Sequence, residues 1–256
     1  MSRELQVSVV IPVFNEERTI CQVIESVRHA LTQLSGVEGA FEIFVVDDGS
    51  TDSTRRLLEG AYAHAPDIHL LFQPKNRGKG AAVARGVAES RGAIVVIQDA
   101  DLEYDPRDLR FLFAPIFENR ADVVFGSRFR GRSARVLYFR HYLANRALTF
   151  VSNVFTNLNL TDVEAGYKAF RGDLIRGLTL ESARFGFEPE VAAKVARIPG
   201  VRVYEVGISY FGRTYEEGKK VTWRDGVAAL WWIAKFNVVD DLGRALSERV
   251  ERKRGR

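Results

Sequence analysis

The stretch Ala93-Ile94-Val95-Val96-Ile97-Gln98-Asp99-Ala100-Asp101 runs from an unbroken apolar segment directly into two carboxylates one residue apart. A short, β-branched apolar run of this kind predicts a strand over Ala93–Gln98 that is buried on both faces. Two carboxylates at its end are hard oxygen ligands of the type that hold Mg²⁺ or Mn²⁺, and such an ion can bridge and neutralise a diphosphate. The same apolar pattern recurs on either side, at Val7–Val13, Phe41–Asp47, Ile68–Phe72 and Val123–Gly126. Between these runs lie helical patterns at Glu16–Leu34, Thr51–Ala63, Gly80–Ser90 and Arg107–Asn119. In the first of them Ile20, Val23, Ile24, Val27, Leu31 and Leu34 keep helical spacing, and Asp105-Pro106 supplies an N-cap followed by proline at the first helical position. Strand–helix alternation with apolar strands predicts an α/β chain, Rossmann-like, with a mostly parallel central sheet and helices on both faces.

Sheets of this type bind ligands beyond the carboxyl ends of their strands. Pro12–Glu16, Asp47-Asp48-Gly49-Ser50, Pro74–Lys79 and Asp99–Glu103 all follow strands and all carry polar or charged residues, so the topology gathers them at one edge. At this edge an Asp47 or Asp48 carboxylate can accept hydrogen bonds from a base or ribose, or it can cap the helix near Thr51, a task Ser50 can also perform. Asn76-Arg77-Gly78-Lys79-Gly80 is a glycine-rich turn with two cations before a helix, suited to phosphate but not of P-loop pattern. No G-x-G-x-x-G follows the first strand, which argues against a Rossmann dehydrogenase. Cys21 is the sole cysteine and lies within an amphipathic helix, as a core residue would; His29, His64 and His69 show no metal-ligand spacing.

The second half is less regular. Helices are expected over Arg140–Thr156, Glu188–Arg197 and Asp225–Ser247, a strand over Val201–Val206, and loops over Asn157–Glu164 and Phe211–Trp223. Net charge is +4, from 37 Lys and Arg against 33 Asp and Glu, too small an excess to imply nucleic acid. Its placement says more. From Val123 to Thr161 there is no Asp or Glu, while Arg128, Arg130, Arg132, Arg135, Arg140 and Arg146 fall there, with His141 among them. Such a segment suits an anionic ligand, phosphate above all, or else forms a solvated helix face and loop. Met1–Gln6 is polar, Val7–Val13 is too short for a signal-peptide core, and no apolar run approaches the ~20 residues that span a bilayer. A cytoplasmic location, soluble or peripheral to the cytoplasmic membrane face, is therefore expected. Trp223, Trp231, Trp232 and Phe236 would pack against the core or a partner, or would lie on a bilayer surface.

Taken together, Val-Val-Ile-Pro-Val-Phe-Asn-Glu (9–16), Val-Val-Asp-Asp-Gly-Ser-Thr-Asp (45–52), Asn-Arg-Gly-Lys-Gly (76–80), Asp-Ala-Asp-Leu (99–102) and Gly-Ser-Arg-Phe (126–129) resemble glycosyltransferase family 2. Within it the chain is similar to polyprenyl-phosphate sugar synthases of the dolichyl-phosphate mannosyltransferase and glucosyltransferase kind. The resemblance runs from about Val7 to Trp223, with the motifs in family order, and implies a GT-A fold. It implies one domain over 1–248, with a nucleotide-sugar half to about 127 and an acceptor half from about 128, and a basic, disordered tail over 249–256.

By that resemblance Pro12, Phe14, Glu16, Val46 and Asp48 hold the nucleoside of a UDP- or GDP-sugar, and Asp99, Ala100 and Asp101 hold diphosphate and Mg²⁺ or Mn²⁺, flanked by Gln98 and Glu103. Arg128 matches a phosphate-contacting arginine. Arg213 and Lys219 match a basic loop that closes over the donor and stabilises charge on the departing diphosphate. A polyprenyl phosphate acceptor, positioned by Arg128, Arg140, His141, Asn145 and Arg146, is already anionic and needs no base. A glycan hydroxyl acceptor does need one, and Asp162 or Glu164 stands in the region for it, unless these carboxylates cap a turn and pair with Lys168 or Arg171. A non-catalytic nucleotide-sugar-binding protein is the alternative from another class. Many lipid-linked synthases carry C-terminal transmembrane helices that are not found here; oligomeric state is left open.

Overall fold

The computed structural model describes residues 6–37, 40–131, 133, 135, 136, 138–182, 186–213, 216 and 223–239, the side chains of 223–225 excepted. Three strands have the bounds read from the sequence: β1 (Val7–Val13), β2 (Phe41–Asp47) and β3 (Ile68–Phe72). β4 (Ile94–Ile97) and β5 (Val123–Ser127) differ from their expected limits by one or two residues. β6 (Lys168–Arg171) was not anticipated, and β7 (Val203–Gly207) closes the set. They form one sheet in the order β3-β2-β1-β4-β6-β5-β7. All pairings are parallel except those of β6, which runs antiparallel to β4 and to β5.

Helices α1 (Ile20–Thr32), α2 (Thr54–Tyr62), α3 (Lys79–Glu89) and α4 (Leu109–Phe117) connect the strands of the first half. The 3₁₀ turn Pro106–Asp108 precedes α4, and the Asp105 carboxylate accepts from the Arg107 amide at 2.9 Å, the expected cap. α5 (Phe139–Thr156), α6 (Gly172–Gly177), α7 (Phe187–Ala196) and α8 (Trp223–Ala234) follow, α8 continuing as a π turn over Lys235–Val239. The remainder of the expected closing helix and the basic tail lie outside the described residues.

Alternation along the strands splits the core into two layers, as the pleat requires. Val9, Ile11, Ile43, Val45 and Val96 pack with Ile20, Val23, Ile24, Leu31, Leu109 and Phe113 on one face. Val10, Phe44, Val46, Val95 and Ile97 pack with Val83, Val87, Phe187 and Val191 on the other. Cys21 packs at the margin of the first layer, in keeping with a core role. Helices on both faces leave only the strand ends open to a ligand.

α3 lies so close to β1 that a Cβ at Gly86 would overlap Val10 Cγ1 and come within 3.1 Å of Val46 Cγ2. Gly60, in α2, has no neighbour within 4 Å of such a Cβ. Gly86→Ala is expected to destabilise by about 1–3 kcal/mol through overpacking, whereas Gly60→Ala should stabilise by about 0.4–1 kcal/mol through the unfolded chain. Urea denaturation of both variants measures the contrast; equal effects would contradict the packing described.

Candidate active site at the strand ends

At the end of β4 the backbone is held from below. Gln98 is fully buried; its amide donates to the Asp99 carbonyl at 3.0 Å and its Oε1 accepts from the Tyr167 hydroxyl. Asp99 Oδ1 pairs with Lys79 Nζ at 2.7 Å, and the same ammonium reaches Glu188 Oε1 at 2.8 Å. Burial by itself would lower the Lys79 pKa, but Asp99 and Glu188 outweigh it and hold the ammonium well above its ordinary value. Gly166 covers the far side of Asp99: a Cβ there would collide with Asp99 Oδ2, so only glycine lets the chain approach that carboxylate.

Asp101 belongs to a second group. Leu102 adopts a left-handed backbone (φ 60°), an uncommon and strained state for leucine, and the turn it makes lets Asp101 Oδ1 accept from the Glu103 amide at 3.2 Å. Arg213 Nη2 lies 3.1 Å from Asp101 Oδ2 and 3.3 Å from Glu16 Oε1, while its amide donates to Glu103 Oε1 at 2.8 Å. Tyr210 donates its hydroxyl to Glu103 Oε2 at 3.0 Å. Three carboxylates therefore face one guanidinium, and Asp101 is pushed up to about 7 by burial first, then by Asp99 and Glu103, with Arg213 opposing. Lys219, expected on the same loop, lies outside the described residues.

Pro12 and Val46 are paired neighbours in β1 and β2, buried beneath the site, whereas Phe14 stands exposed above it. Asp48 does not cap α2. Its two oxygens accept from the Arg77 and Gly78 amides at 2.8 and 2.7 Å, and Gly78 has φ 95° to present its N–H. The glycine-rich turn expected to cradle phosphate thus already directs two amides to Asp48, and its Lys79 serves Asp99. Ser50 does not cap α2 either, since that helix begins only at Thr54 and Ser50 Oγ accepts from the Asn15 amide.

The second half of the chain shows the largest departures. Asp162 is fully buried and takes Arg128 bidentately, Nε and Nη2 each at 2.7 Å, with the Arg128 amide at 3.0 Å. Burial would lower the Arg128 pKa, but Asp162 more than compensates and keeps it well above the ordinary value. The alternative pairings with Lys168 or Arg171 do not form among the described residues: Lys168 donates to the Val163 and Ala165 carbonyls, and Arg171 pairs with Asp122 at 3.0 Å. Arg130 is likewise committed, to Glu205 at 2.9 Å, while Glu205 accepts from Thr161 N and Oγ1 at 2.7 and 2.9 Å. Arg132 lies outside the described residues. What remains for an anionic acceptor is the N-terminal half of α5, where Arg140 is exposed and His141 and Asn145 are half-buried. Arg146 donates from this segment to the Thr161 carbonyl at 3.3 Å, and Tyr142 packs edge-on against Phe129 at 5.1 Å, beside Arg128.

Glu164 sits two residues before Gly166. Its Oε1 is sealed from solvent with no hydrogen-bond partner, and its carboxyl is pushed up to about 7, first by burial and then by Glu188. Lys168 is pushed down to about 8 by burial, Lys79 adding to the fall while Glu188 and Glu164 oppose it. Glu188 and Glu205 were not singled out from the sequence, and Lys168 was named only as a partner for Asp162 or Glu164. Glu188 looked like an ordinary acidic residue in the first turn of a helix, where the dipole favours it.

Among the described residues no three His, Cys, Asp or Glu side chains converge as a metal cage. Asp99 and Asp101 nevertheless fit a Mg²⁺ or Mn²⁺ ion of the kind that takes one or two carboxylates and fills its shell with water and phosphate oxygens. The donor set is all oxygen, and the segment that approaches Asp99 Oδ2 does so through a glycine, with no side chain to compete for that oxygen.

A parallel sheet with one reversed strand, carboxylates at its ends and a basic helix beside them is the arrangement of the GT-A fold of glycosyltransferases. The model of glycosyl transferase family 2 matches residues 8–178, and the chain belongs to that family. It is 31% identical over 223 residues to the undecaprenyl-phosphate mannosyltransferase of Micrococcus luteus, spanning 84% of this chain and 87% of that protein. It is 32% identical over 216 residues to the undecaprenyl-phosphate 4-deoxy-4-formamido-L-arabinose transferase of Proteus mirabilis, spanning 84% of this chain but only 62% of that relative's length. Among solved structures it resembles glucosyl-3-phosphoglycerate synthase of Mycobacterium tuberculosis in complex with Mn²⁺, UDP and glucosyl-3-phosphoglycerate, with a TM-score of 0.68 at 21% identity over 91% of this chain and 80% of that one.

Asp162→Asn is expected to destabilise the fold by about 3–5 kcal/mol, because it leaves a buried guanidinium without its counter-charge. Chemical denaturation measures it, and a loss below ~1 kcal/mol would place the pair in the class of exposed ion pairs. Glu164→Gln should behave oppositely. A carboxyl whose folded pKa is raised stabilises most below its unfolded value of 4.5, and that contribution disappears as pH rises through about 7. The variant should therefore gain in Tm relative to the parent between pH 5 and pH 8, and a pH-independent difference would contradict the burial described.

Proposed function

We propose that the protein is an inverting, divalent-metal-dependent transferase that moves a hexose from a UDP- or GDP-sugar to a polyprenyl phosphate at a membrane surface. The observation that carries the reading is the surface of α5. Phe139, Leu143, Phe150 and Val154 recur at helical spacing and are 69, 50, 68 and 64% exposed, with Arg146 inside the same stripe and Arg140 beside it. α8 packs against α5 through Leu148, Ala229 and Ile233, and adds exposed Val227, Leu230 and Trp231. Of the aromatics named in that segment, Phe236 is buried with Trp232 stacked on it, and Trp231 faces outward. The side chain of Trp223 lies outside the described residues. An apolar face with interspersed arginines, leading back to Thr161 and Arg128, suits a lipid chain with a phosphate head. No helix among the described residues is long and apolar enough to cross a membrane.

The proposed chemistry uses few groups. Asp99 and Asp101 would hold the metal, which lowers the charge on the leaving diphosphate. Pro12, Phe14, Glu16, Val46 and Asp48 line the nucleoside end, with Asp48 acting through the loop it holds. An acceptor phosphate oxygen attacks the anomeric carbon as the bond to the nucleoside diphosphate breaks; the electron pair leaves with the diphosphate, and the configuration inverts. Arg213, with Lys219, would meet that negative charge, and Arg140, His141, Asn145 and Arg146 would place the acceptor, with Arg128 fixed behind them by Asp162. The acceptor oxygen is already anionic and no general base is called for. A hydroxyl acceptor would need Asp162 or Glu164 as base, and Asp162 is sealed with both oxygens occupied by Arg128.

Purified protein incubated with labelled UDP- and GDP-hexoses, a short-chain polyprenyl phosphate in detergent, and Mg²⁺ or Mn²⁺ should yield organic-extractable label. Chelation should abolish it, and Arg146→Ala should raise the KM for the lipid by about 10-fold, the loss of one charge-assisted hydrogen bond. Label appearing only on a soluble or glycan hydroxyl would overturn the acceptor assignment.

A further inference from the structure

We infer that Glu164 reads a hydroxyl group of the transferred sugar, and that its carboxylate, backed by the buried Glu188, restricts the donor to a neutral hexose and turns away a hexuronate. The inference rests on the donor reading above and specifies its sugar.

The argument begins with position. Gly166 touches Asp99, the carboxylate assigned to the diphosphate and metal, and its amide is fixed by donation to the Tyr104 hydroxyl at 2.9 Å. Glu164, two residues earlier on the same segment, is held at that edge of the site. Glu188 reaches it from α7, through the Lys79 ammonium that it shares with Asp99. A sugar attached to a diphosphate at Asp99 would lie against these groups.

Hydrogen-bond accounting follows. Lys79 is taken by Asp99 and Glu188. Lys168 spends its protons on the Val163 and Ala165 carbonyls and not on a carboxylate. Arg128 and Asp162 are closed on each other. Glu164 Oε1 is left buried with no donor. An acceptor stranded in this way is costly, and a native protein keeps one where a ligand or water completes it. Sugar hydroxyls are donors of the right kind.

Charge accounting gives the selectivity. Asp99, Glu164 and Glu188 place three carboxylates against the two ammonium groups of Lys79 and Lys168. A hexuronate would bring a further negative charge beside Glu164, where among the described residues Lys79, Lys168 and Arg128 are already committed, and like charges at close quarters are a strong means of rejection.

The test compares UDP, UDP-glucose and UDP-glucuronate, and GDP, GDP-mannose and GDP-mannuronate, on the full chain with Mn²⁺ at pH 8. Donor binding is followed by thermal shift and calorimetry, and transfer by kcat/KM. The parent should prefer the neutral sugar over the uronate on the same base by at least about 10-fold, the scale of a single mismatched polar group. Glu164→Gln, which keeps shape and removes charge, should shrink that ratio to within about 3-fold by admitting the uronate. Glu164→Ala should raise KM for the neutral donor by about 10-fold, the loss of one hydrogen bond to a charged group. Equal use of both sugars by the parent overturns the inference. So does an unchanged ratio in Glu164→Gln, whether kcat falls equally for all donors, as loss of a base would cause, or nothing changes, as a water-satisfied carboxyl would give. If transfer to polyprenyl phosphate fails while the donor preference is found by binding, the acceptor reading falls and this inference stands. If no nucleotide binds, both fall.

Discussion

A buried ammonium must be paired, and most of the site is arranged around that requirement at Lys79. Taking such a charge out of water without partners costs several kcal/mol or more, so its position is tolerable only where carboxylates surround it. Asp99 comes from the end of β4 and Glu188 from the first turn of α7, and Lys79 opens α3. One side chain thus ties three separate elements together. It fixes one oxygen of Asp99 and leaves the other against Gly166. The turn that delivers Lys79 is itself held by Asp48 through two amides, so the second and fourth strand ends are mechanically linked.

The reversed strand β6 supplies the other half of the constraint. Running against β4 and β5, it returns the chain across the strand ends and carries Asp162, Glu164 and Gly166 over the site. Glu205 on β7 anchors that segment at Thr161 and the Asp162 amide, and Asp162 in turn locks Arg128. Carboxylate and guanidinium here serve as a fixed wall, and bidentate geometry gives the wall its orientation. This is a structural use of residues whose types suggested acid–base chemistry.

The acid-free arginine segment divides into two functions for the same reason. Arg128 and Arg130 pair with carboxylates that lie elsewhere in the chain, whereas α5 keeps Arg140 and Arg146 exposed beside an apolar stripe. The strand ends are therefore acidic and organised by buried pairs, and the face beside them is basic and apolar, organised by one exposed helix with α8 behind it.

Local pattern was sufficient for the sheet that follows from apolar runs. β1, β2 and β3 were bounded to the residue, and the strand-end motifs did converge on one edge, because burial on both faces writes a continuous apolar signature. β6 left no such signature. Its four residues include Lys168 and Arg171, and a lysine inside a sheet is legible only once the carbonyls that receive its protons are known. By itself the sequence determined the fold class, from strand–helix periodicity, and the family, from short motifs in family order. Only the tertiary structure decided which carboxylate each cation meets. Pairings such as Lys79 with Glu188, or Arg128 with Asp162, join residues 109 and 34 positions apart, and chain separation carries no information about which buried charges must neutralise one another.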